Sequence, residues 1–422
     1  MSAPAGSSPA APPTSPDASA APPKPVAVHR SGSTGLYVVI GVLVVVVIIV
    51  AAGSVTSWFG LTKSSSSSGC PTGVTIQGAG AAFPSSLISV WTSQFNGATS
   101  DLVNYQASGA GTGITDLTSK LVDFAVTDEP LVGTQASQMN AAVGTTLTLP
   151  IMGGAVSIIY YIPGFTGTLQ LNGTELFQIF NGNITTWDNG MLVGNNPGLS
   201  TITTSILVVE RSDAAGMSYV LSNYLSDVSS YWASKVGTSI QPSWPTWSIS
   251  GGGKNVPEPG NSAVIKEVAG NAGAIGYTDL YDAGVHSLPS AQIQNHAGDY
   301  VAPSVASTKA AVTDIYNAAT TAYPTSTGNW SAVTWVNGPG SGDYPLATLV
   351  YAMLPEEVSN GYTFSMTSAQ VLVLWFHWVL TTGQSFNQTA YPFIDPPSAL
   401  VSQALTGLSA VNFKGSLVSV CS

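Results

Sequence analysis

The sequence predicts an α/β fold with parallel strands, preceded by one apolar segment long enough to cross a bilayer. Three observations carry this reading. Between residues 74 and 131, two short apolar strands each run into a glycine turn and a helix pattern, and a third strand ends at Asp128. A further unit of the same kind lies at 205–224, where SILVVE runs into Arg211-Ser-Asp213-Ala-Ala215-Gly216 and a helix pattern. Strand, loop and helix in repeated order give parallel sheets whose loops share one rim. The third observation is the run LYVVIGVLVVVVIIVAA at 36–52, whose apolar character continues weakly to Phe59.

Residues 1–35 are rich in Pro, Ala and Ser, too poor in apolar side chains to form a core, and read as a disordered tail. The segment 36–59 reaches the roughly 20 residues that span a bilayer, with Tyr37 and Trp58 as interfacial aromatics at its ends. Lys24 and Arg30 precede it and only Lys63 follows closely, which puts the tail in the cytoplasm and the remainder outside. A cleaved signal peptide is the alternative; its apolar region would start unusually late. Residues 60–69, a serine-rich linker, lead to a folded part that begins near Cys70.

Within the folded part, strands are expected at 74–77, 102–106 and 121–126, with glycine turns at Gly78 and Gly80 and at Gly109, Gly111 and Gly113. The helix between the first two places Leu87, Ile88, Val90 and Trp91 on one face. A long apolar strand follows at 154–163 (GAVSIIYYIP), then SILVVE at 205–210, a loop at 250–255, a strand led by GAIGY at 273–277 and a strand within 345–354. The apolar segment 366–382 is interrupted by His377 and reads as a core helix; a last helix covers 397–408. Each helix that opens on the rim points free N–H groups at one place, which favours an anion.

Composition excludes several functions. Of 422 residues only 7% are charged, and the formal net charge is −11. With no basic run, nucleic acid is not a partner. Two cysteines and four scattered histidines (His29, His286, His296, His377) give no metal site. Cys70 and Cys421 stand at the two ends of the folded part and, outside the cell, are expected to form a disulfide. Asn172, Asn183, Asn329 and Asn387 head N-x-Ser/Thr sequons and are candidate glycan sites.

Five segments, in order, resemble the periplasmic-type phosphate-binding proteins of phosphate ABC importers: GAGAAFP at 78–84, NYQ at 104–106, VDF followed by TDEPL at 122–131, VVERSDAAG at 208–216 and GAIGY at 273–277. The resemblance spans residues 73 to 410. It implies a two-lobed periplasmic-binding-protein-like (type II) fold, each lobe a mixed, mostly parallel sheet flanked by helices. Lobe I would be 70–160 and 345–422, lobe II 161–344, with a ligand cleft between them. It implies no catalytic residue and no cofactor; the partners would be inorganic phosphate and the permease subunits of an ABC importer, with the membrane held through the N-terminal helix. The implied ligand set is Ala82, Phe83, Ala110, Gly111, Thr112 and Asp128 from lobe I, with Arg211, Asp213, Ala215, Gly216 and Met217 from lobe II. Arg211 offers a planar fork to a tetrahedral oxyanion, oriented by Asp213. Asp128 would accept a hydrogen bond from a protonated ligand and repel a fully ionised one, which separates phosphate from sulfate.

The sequence departs from the family at Ala82, Ala110, Ala215 and Met217, where hydroxyl residues are usual; each lost donor is worth roughly 1.5–3 kcal/mol to a charged ligand. That pattern also fits a cell-surface protein of this fold with an altered or lost ligand. Read singly, Asp128 is also a plausible helix cap and Arg211 with Asp213 a surface pair. GAGAAF after a strand approaches a dinucleotide fingerprint, but Phe83 stands where its third glycine belongs. An extracellular hydrolase lacks support from any G-x-S-x-G or nucleophile–base pair.

Overall fold

The computed structural model describes residues 70–131, 134–248, 253–360, 364–387 and 391–420. The expected tail, membrane segment and serine linker lie outside the described residues; among these no helix is long and apolar enough to cross a membrane.

Thirteen strands and twelve α-helices are described. The main strands are β1 Thr75–Gly80, β2 Leu102–Gln106, β3 Phe124–Thr127, β4 Thr146–Tyr161, β6 Leu207–Arg211, β7 Lys254–Glu258, β8 Ala274–Asp279 and β11 Ala347–Pro355. Small strands are β5 Gln170–Leu171, β9 Gln292–Gln294, β10 Tyr300–Val301, β12 Asn412–Phe413 and β13 Ser416–Leu417. The helices are α1 Ser85–Thr99, α2 Ala110–Thr118, α3 Thr134–Val143, α4 Gly173–Phe180, α5 Gly190–Asn195 and α6 Gly216–Val228, then α7 Ser230–Lys235, α8 Gly260–Gly270, α9 Leu280–Val285, α10 Val305–Ala318, α11 Met366–Leu380 and α12 Ser398–Leu408.

The eight main strands run in the order β2-β1-β3-β11-β4-β8-β6-β7. β1 is parallel to β2 and β3. On the other side β6 is parallel to β7 and β8. Between these groups lie β11 and β4, antiparallel to their neighbours. β4 belongs to both halves: Thr146 to Ala155 pair with β11, and Val156 to Tyr161 pair with β8. It therefore begins eight residues earlier than the expected start at Gly154, and every residue but Tyr161 is buried. Burial on both faces explains its unbroken apolar run. Pro150 cannot donate to the ladder, and the register shifts there, between Val350 and Tyr351 of the partner strand.

Each half has its own core. In lobe I, α1 contributes Leu87, Ile88, Trp91 and Phe95, and α11 contributes Val371, Leu372, Trp375, Phe376 and Val379. Ser365 caps α11, accepting from the Ser368 N–H at 3.0 Å. In lobe II, α4 and α6 cover one sheet face with Leu176, Phe180, Val220, Leu221 and Tyr224, and α8 covers the other with Val264, Ile265 and Val268. The segment 305–346 packs against lobe I's β11: Ala311 and Val312 of α10, with Trp330 and Trp335, meet Leu349 and Tyr351. Lys254 and Asn255, expected in a loop, form edge strand β7, which carries Pro257 and few apolar residues.

Helix α2 lies directly on β1. A Cβ built on Gly113 would stand 2.5 Å from the Gly80 Cα and 2.7 Å from the Ala79 oxygen. Backbone on both sides leaves nothing to rotate away. Gly113→Ala should lower unfolding free energy by roughly 1–3 kcal/mol, the cost of overpacking; denaturant titration of the full chain measures it, and an unchanged midpoint would show that α2 can lift.

Candidate functional site

The C-terminal ends of the parallel strands in both halves face one another. In lobe I, β1 leads through Ala81–Pro84 into α1, β2 leads through Ser108 and Gly109 into α2, and β3 is followed directly by Asp128. Phe83 is buried, its ring against Gly154 of β4 and edge-on to Phe393 at 5.5 Å. That anchor fixes the preceding turn, whose Ala82 and Phe83 N–H groups donate to no backbone carbonyl among the described residues. Ala110, Gly111 and Thr112 form the first turn of α2, where N–H groups lack helical partners. Ala110 is buried, while Thr112 and Ser108 are exposed.

In lobe II the ends of β6, β7 and β8 carry the N-termini of α6, α8 and α9. Arg211 closes β6 and is 2% exposed. Its backbone is pinned by the Tyr277 hydroxyl, which accepts its N–H at 2.9 Å, and by the Trp244 indole, which donates to its carbonyl at 3.2 Å. Its guanidinium donates from Nε to Asp213 Oδ1 at 2.8 Å, from Nη2 to Asp213 Oδ2 at 2.5 Å and from Nη1 to Asn261 Oδ1 at 2.5 Å. Three of the five guanidinium N–H groups are thus used. Asp213 also accepts from the Gly260 N–H at 3.0 Å. Burial pushes the Asp213 carboxyl up, but the Arg211 hydrogen bonds and charge and that N–H outweigh it and hold it below its usual value.

The two rims touch. A Cβ built on Gly216 would stand 2.2 Å from the Asp128 Oδ2, so only glycine at the start of α6 lets the carboxyl of lobe I approach. Gly109 and Gly111 of lobe I likewise lie against Ala214 of lobe II. Asp128 is 2% exposed; its backbone carbonyl accepts from Thr348 Oγ1 at 3.1 Å, and its Oδ1 accepts no hydrogen bond among the described residues. Burial raises its pKa to about 7 although the Arg211 charge pulls the other way. Glu129 beside it is equally buried, with Oε1 unpartnered among the described residues. Burial and the Asp128 charge raise its pKa to about 8. An arginine with spare donors, an orphaned carboxyl oxygen and several helix N-termini at one lobe junction suit a small oxyanion that brings a proton.

The structure brings together Ala82, Phe83, Ala110, Gly111, Asp128, Arg211, Asp213, Ala215 and Gly216 at the strand ends facing this junction. Met217 occupies the first turn of α6, but its side chain is buried in the lobe II core. Cys70 has no disulfide partner among the described residues, and its expected partner Cys421 lies outside them. Of the sequons, Asn183 and Asn329 are exposed. Asn172 caps α4 in a reciprocal pair with Glu175. Asn387 is corrected as a glycan site: it is fully buried, its Nδ2 donating to Gln384 Oε1 at 3.0 Å and Asp395 Oδ1 at 2.8 Å. Sequence reasoning missed Glu129, Asn261, Asp279 and Asp282. The Gly260-Asn261 pair at a helix start was the one available signal for Asn261.

Two lobes sharing a strand and bringing helix N-termini, a guanidinium and a buried carboxyl to one junction have the arrangement of a solute-binding protein of the periplasmic type. The family described as PBP superfamily domain matches residues 65–372. The phosphate-binding protein PstS of Xylella fastidiosa (strain Temecula1) is 31% identical over 335 residues, 78% of this chain and 84% of that protein. PstS of Methanocaldococcus jannaschii is 30% identical over 346 residues, 81% of this chain and 87% of its own. Among solved structures, a high-affinity periplasmic phosphate-binding protein bound with phosphate superposes with a TM-score of 0.61 at 20% identity, covering 79% of this chain and 93% of that one. The chain belongs to the family of phosphate-binding proteins within this superfamily, a family of binding proteins rather than enzymes.

The buried carboxyls set a pH dependence. Asp128 and Glu129 keep their protons well above the values of 3.8 and 4.5 at which they ionise when unfolded. Their contribution to stability is full below those values and is lost as pH rises through about 7 to 8. Unfolding free energy of the ligand-free chain should therefore fall between about pH 5 and pH 8.5. Glu129→Gln should reduce that fall by at least about 1.4 kcal/mol, one pKa unit; parallel pH profiles for parent and variant would refute it.

Proposed function

We propose that this chain captures inorganic phosphate between its lobes, outside the cell, and delivers it to the permease of an ABC importer. The single observation that carries the ligand is the Asp128 carboxyl: buried, reached by the Arg211 charge, with one oxygen unpartnered at the lobe junction. An acceptor in that place is matched by an anion that still holds a proton near neutral pH, as phosphate does and sulfate does not. The names of the relatives, phosphate-binding protein PstS, support the same ligand, and the resemblance of the five sequence segments to importer binding proteins supports the permease as recipient. The apolar run at 36–52, with Lys24 and Arg30 before it, supports a single N-terminal anchor, and the extracellular setting supports pairing of Cys70 with Cys421 and glycans at the exposed Asn183 and Asn329.

The absence of hydroxyls at Ala82, Ala110, Ala215 and Met217 leaves backbone N–H groups, Arg211 and Asp128 to hold the ion. Affinity then rests on fewer side-chain donors than in hydroxyl-bearing relatives.

Calorimetry on the purified full chain should show phosphate binding at one site and sulfate far more weakly. Asp128→Asn should weaken phosphate modestly, because the amide oxygen still accepts, and should strengthen sulfate, because repulsion goes and an N–H donor appears. The ratio of the two dissociation constants should move at least about tenfold, or 1.4 kcal/mol. A ratio that stays put removes Asp128 as the proton reader, and a parent that binds neither anion favours a protein of this fold with a changed or lost ligand. For the anchor, protease added to intact cells should remove everything after Lys63 and spare the tail; a protected domain would reverse the topology.

A further inference from the structure

Arg211 is gripped from two sides, and only one of them carries charge. Asp213 takes Nε and Nη2 as a carboxylate; Nη1 is taken by the amide oxygen of Asn261, in the first turn of α8. Asn261 is 9% exposed, and both ends of its amide are used. Its Nδ2 donates to Asp279 Oδ2 at 2.7 Å and to Asp282 Oδ2 at 2.9 Å. Asp279 is itself fixed, its Oδ1 accepting the Asp282 N–H at 2.8 Å as the cap of α9. The flipped amide would set NH2 against the guanidinium and oxygen against two carboxyls, so the surroundings decide its orientation.

We propose that Asn261 is a positioning residue for anion binding, an uncharged acceptor that locks the Arg211 fork while the Asp279–Asp282 pair locks Asn261 in turn. The proposal rests on the phosphate reading above for its ligand. The groups facing Asn261 are Arg211, Asp213, Asp279 and Asp282, one cation among three acids. A carboxylate at 261 would place a second anion directly on the guanidinium and cancel the charge that attracts the ligand. The amide holds Nη1 without adding charge. One N–H on each Nη then remains for the oxyanion, in a plane set by Asp213 and Asn261.

The test compares Asn261→Leu and Asn261→Asp with the parent, as full chains, by phosphate titration at several pH values. Asn261→Leu removes both bonds and should weaken phosphate by about tenfold or more at every pH, the usual effect of losing a hydrogen bond to a charged group. Asn261→Asp is the informative variant. When protonated, its C=O can accept from Nη1 and its O–H can donate to Asp279 or Asp282, which reproduces the amide. Its affinity should match the parent within about threefold near pH 5 and fall about tenfold behind by pH 8, a pH dependence that a packing role would not produce.

A folded Asn261→Leu that binds like the parent, or an Asn261→Asp whose ratio to the parent is flat with pH, overturns the proposal. If Asn261→Leu fails to fold, the Asn261→Asp series decides alone. Should the parent bind no phosphate, the function proposed above fails, and the lock is still decided without ligand. The Nη nitrogen signals of Arg211, identified by their loss in Arg211→Lys, should be separate in the parent and merged by rotation in Asn261→Leu, which leaves Nη1 without its acceptor. Signals that stay separate there would sink the lock.

Discussion

The fold depends on one strand pairing with two partners. β4 gives its first ten residues to β11 and its last six to β8, so the two halves share a backbone ladder. The change-over lies between Ala155 and Val156, where β11 begins; there the Val156 N–H donates to Leu346 O at 2.9 Å and the Tyr344 hydroxyl donates to Val156 O at 2.8 Å. Two chain crossings at one place leave few soft dihedrals with which the lobes can move, which is the geometry of a hinge. The same antiparallel pair turns the parallel groups on either side so that their carboxyl ends meet. Every ligand group proposed here sits on those ends.

Electrostatics in a chain with so little charge follow a simple rule: each charged group near the junction is specified by its neighbours. Arg211 is buried and held at three of its five donors. Opposite it, Asp128 and Glu129 are buried with unpartnered oxygens; burial raises their pKa values to about 7 and about 8, so Asp128 ionises within the neutral range. A buried carboxyl without a partner costs stability. Such a cost at a lobe junction is an arrangement that suits a ligand able to supply the missing contact.

Lost hydroxyls at the family's usual positions have a structural counterpart. Ala110 and Ala215 are buried, Met217 directs its side chain into the lobe II core, and Gly216 leaves room for Asp128 alone. The rims are therefore lined by backbone and small side chains, and the polar selectivity falls on Arg211 and the carboxyls.

Much of this was legible in the sequence because it is local. The strands at 75–80 and 102–106, the carboxyl just past the third strand and the Arg211–Asp213 spacing each rest on short-range backbone chemistry, whereas the expected glycine turns do not hold: Gly78 and Gly80 lie inside β1, and Gly111 and Gly113 inside α2. Local chemistry alone is enough for the main strand–loop–helix units and the α/β class. Three-dimensional packing decided the rest. That β4 starts at Thr146, that Lys254 and Asn255 join an edge strand, and that Asn387 is sealed from solvent depend on partners far away in the chain. Asn261 reaches Arg211 across 50 positions, and Gly216 meets Asp128 across the lobe junction. Hydrogen-bond partners and buried protons are properties of those long-range contacts, and no periodicity in the sequence records them.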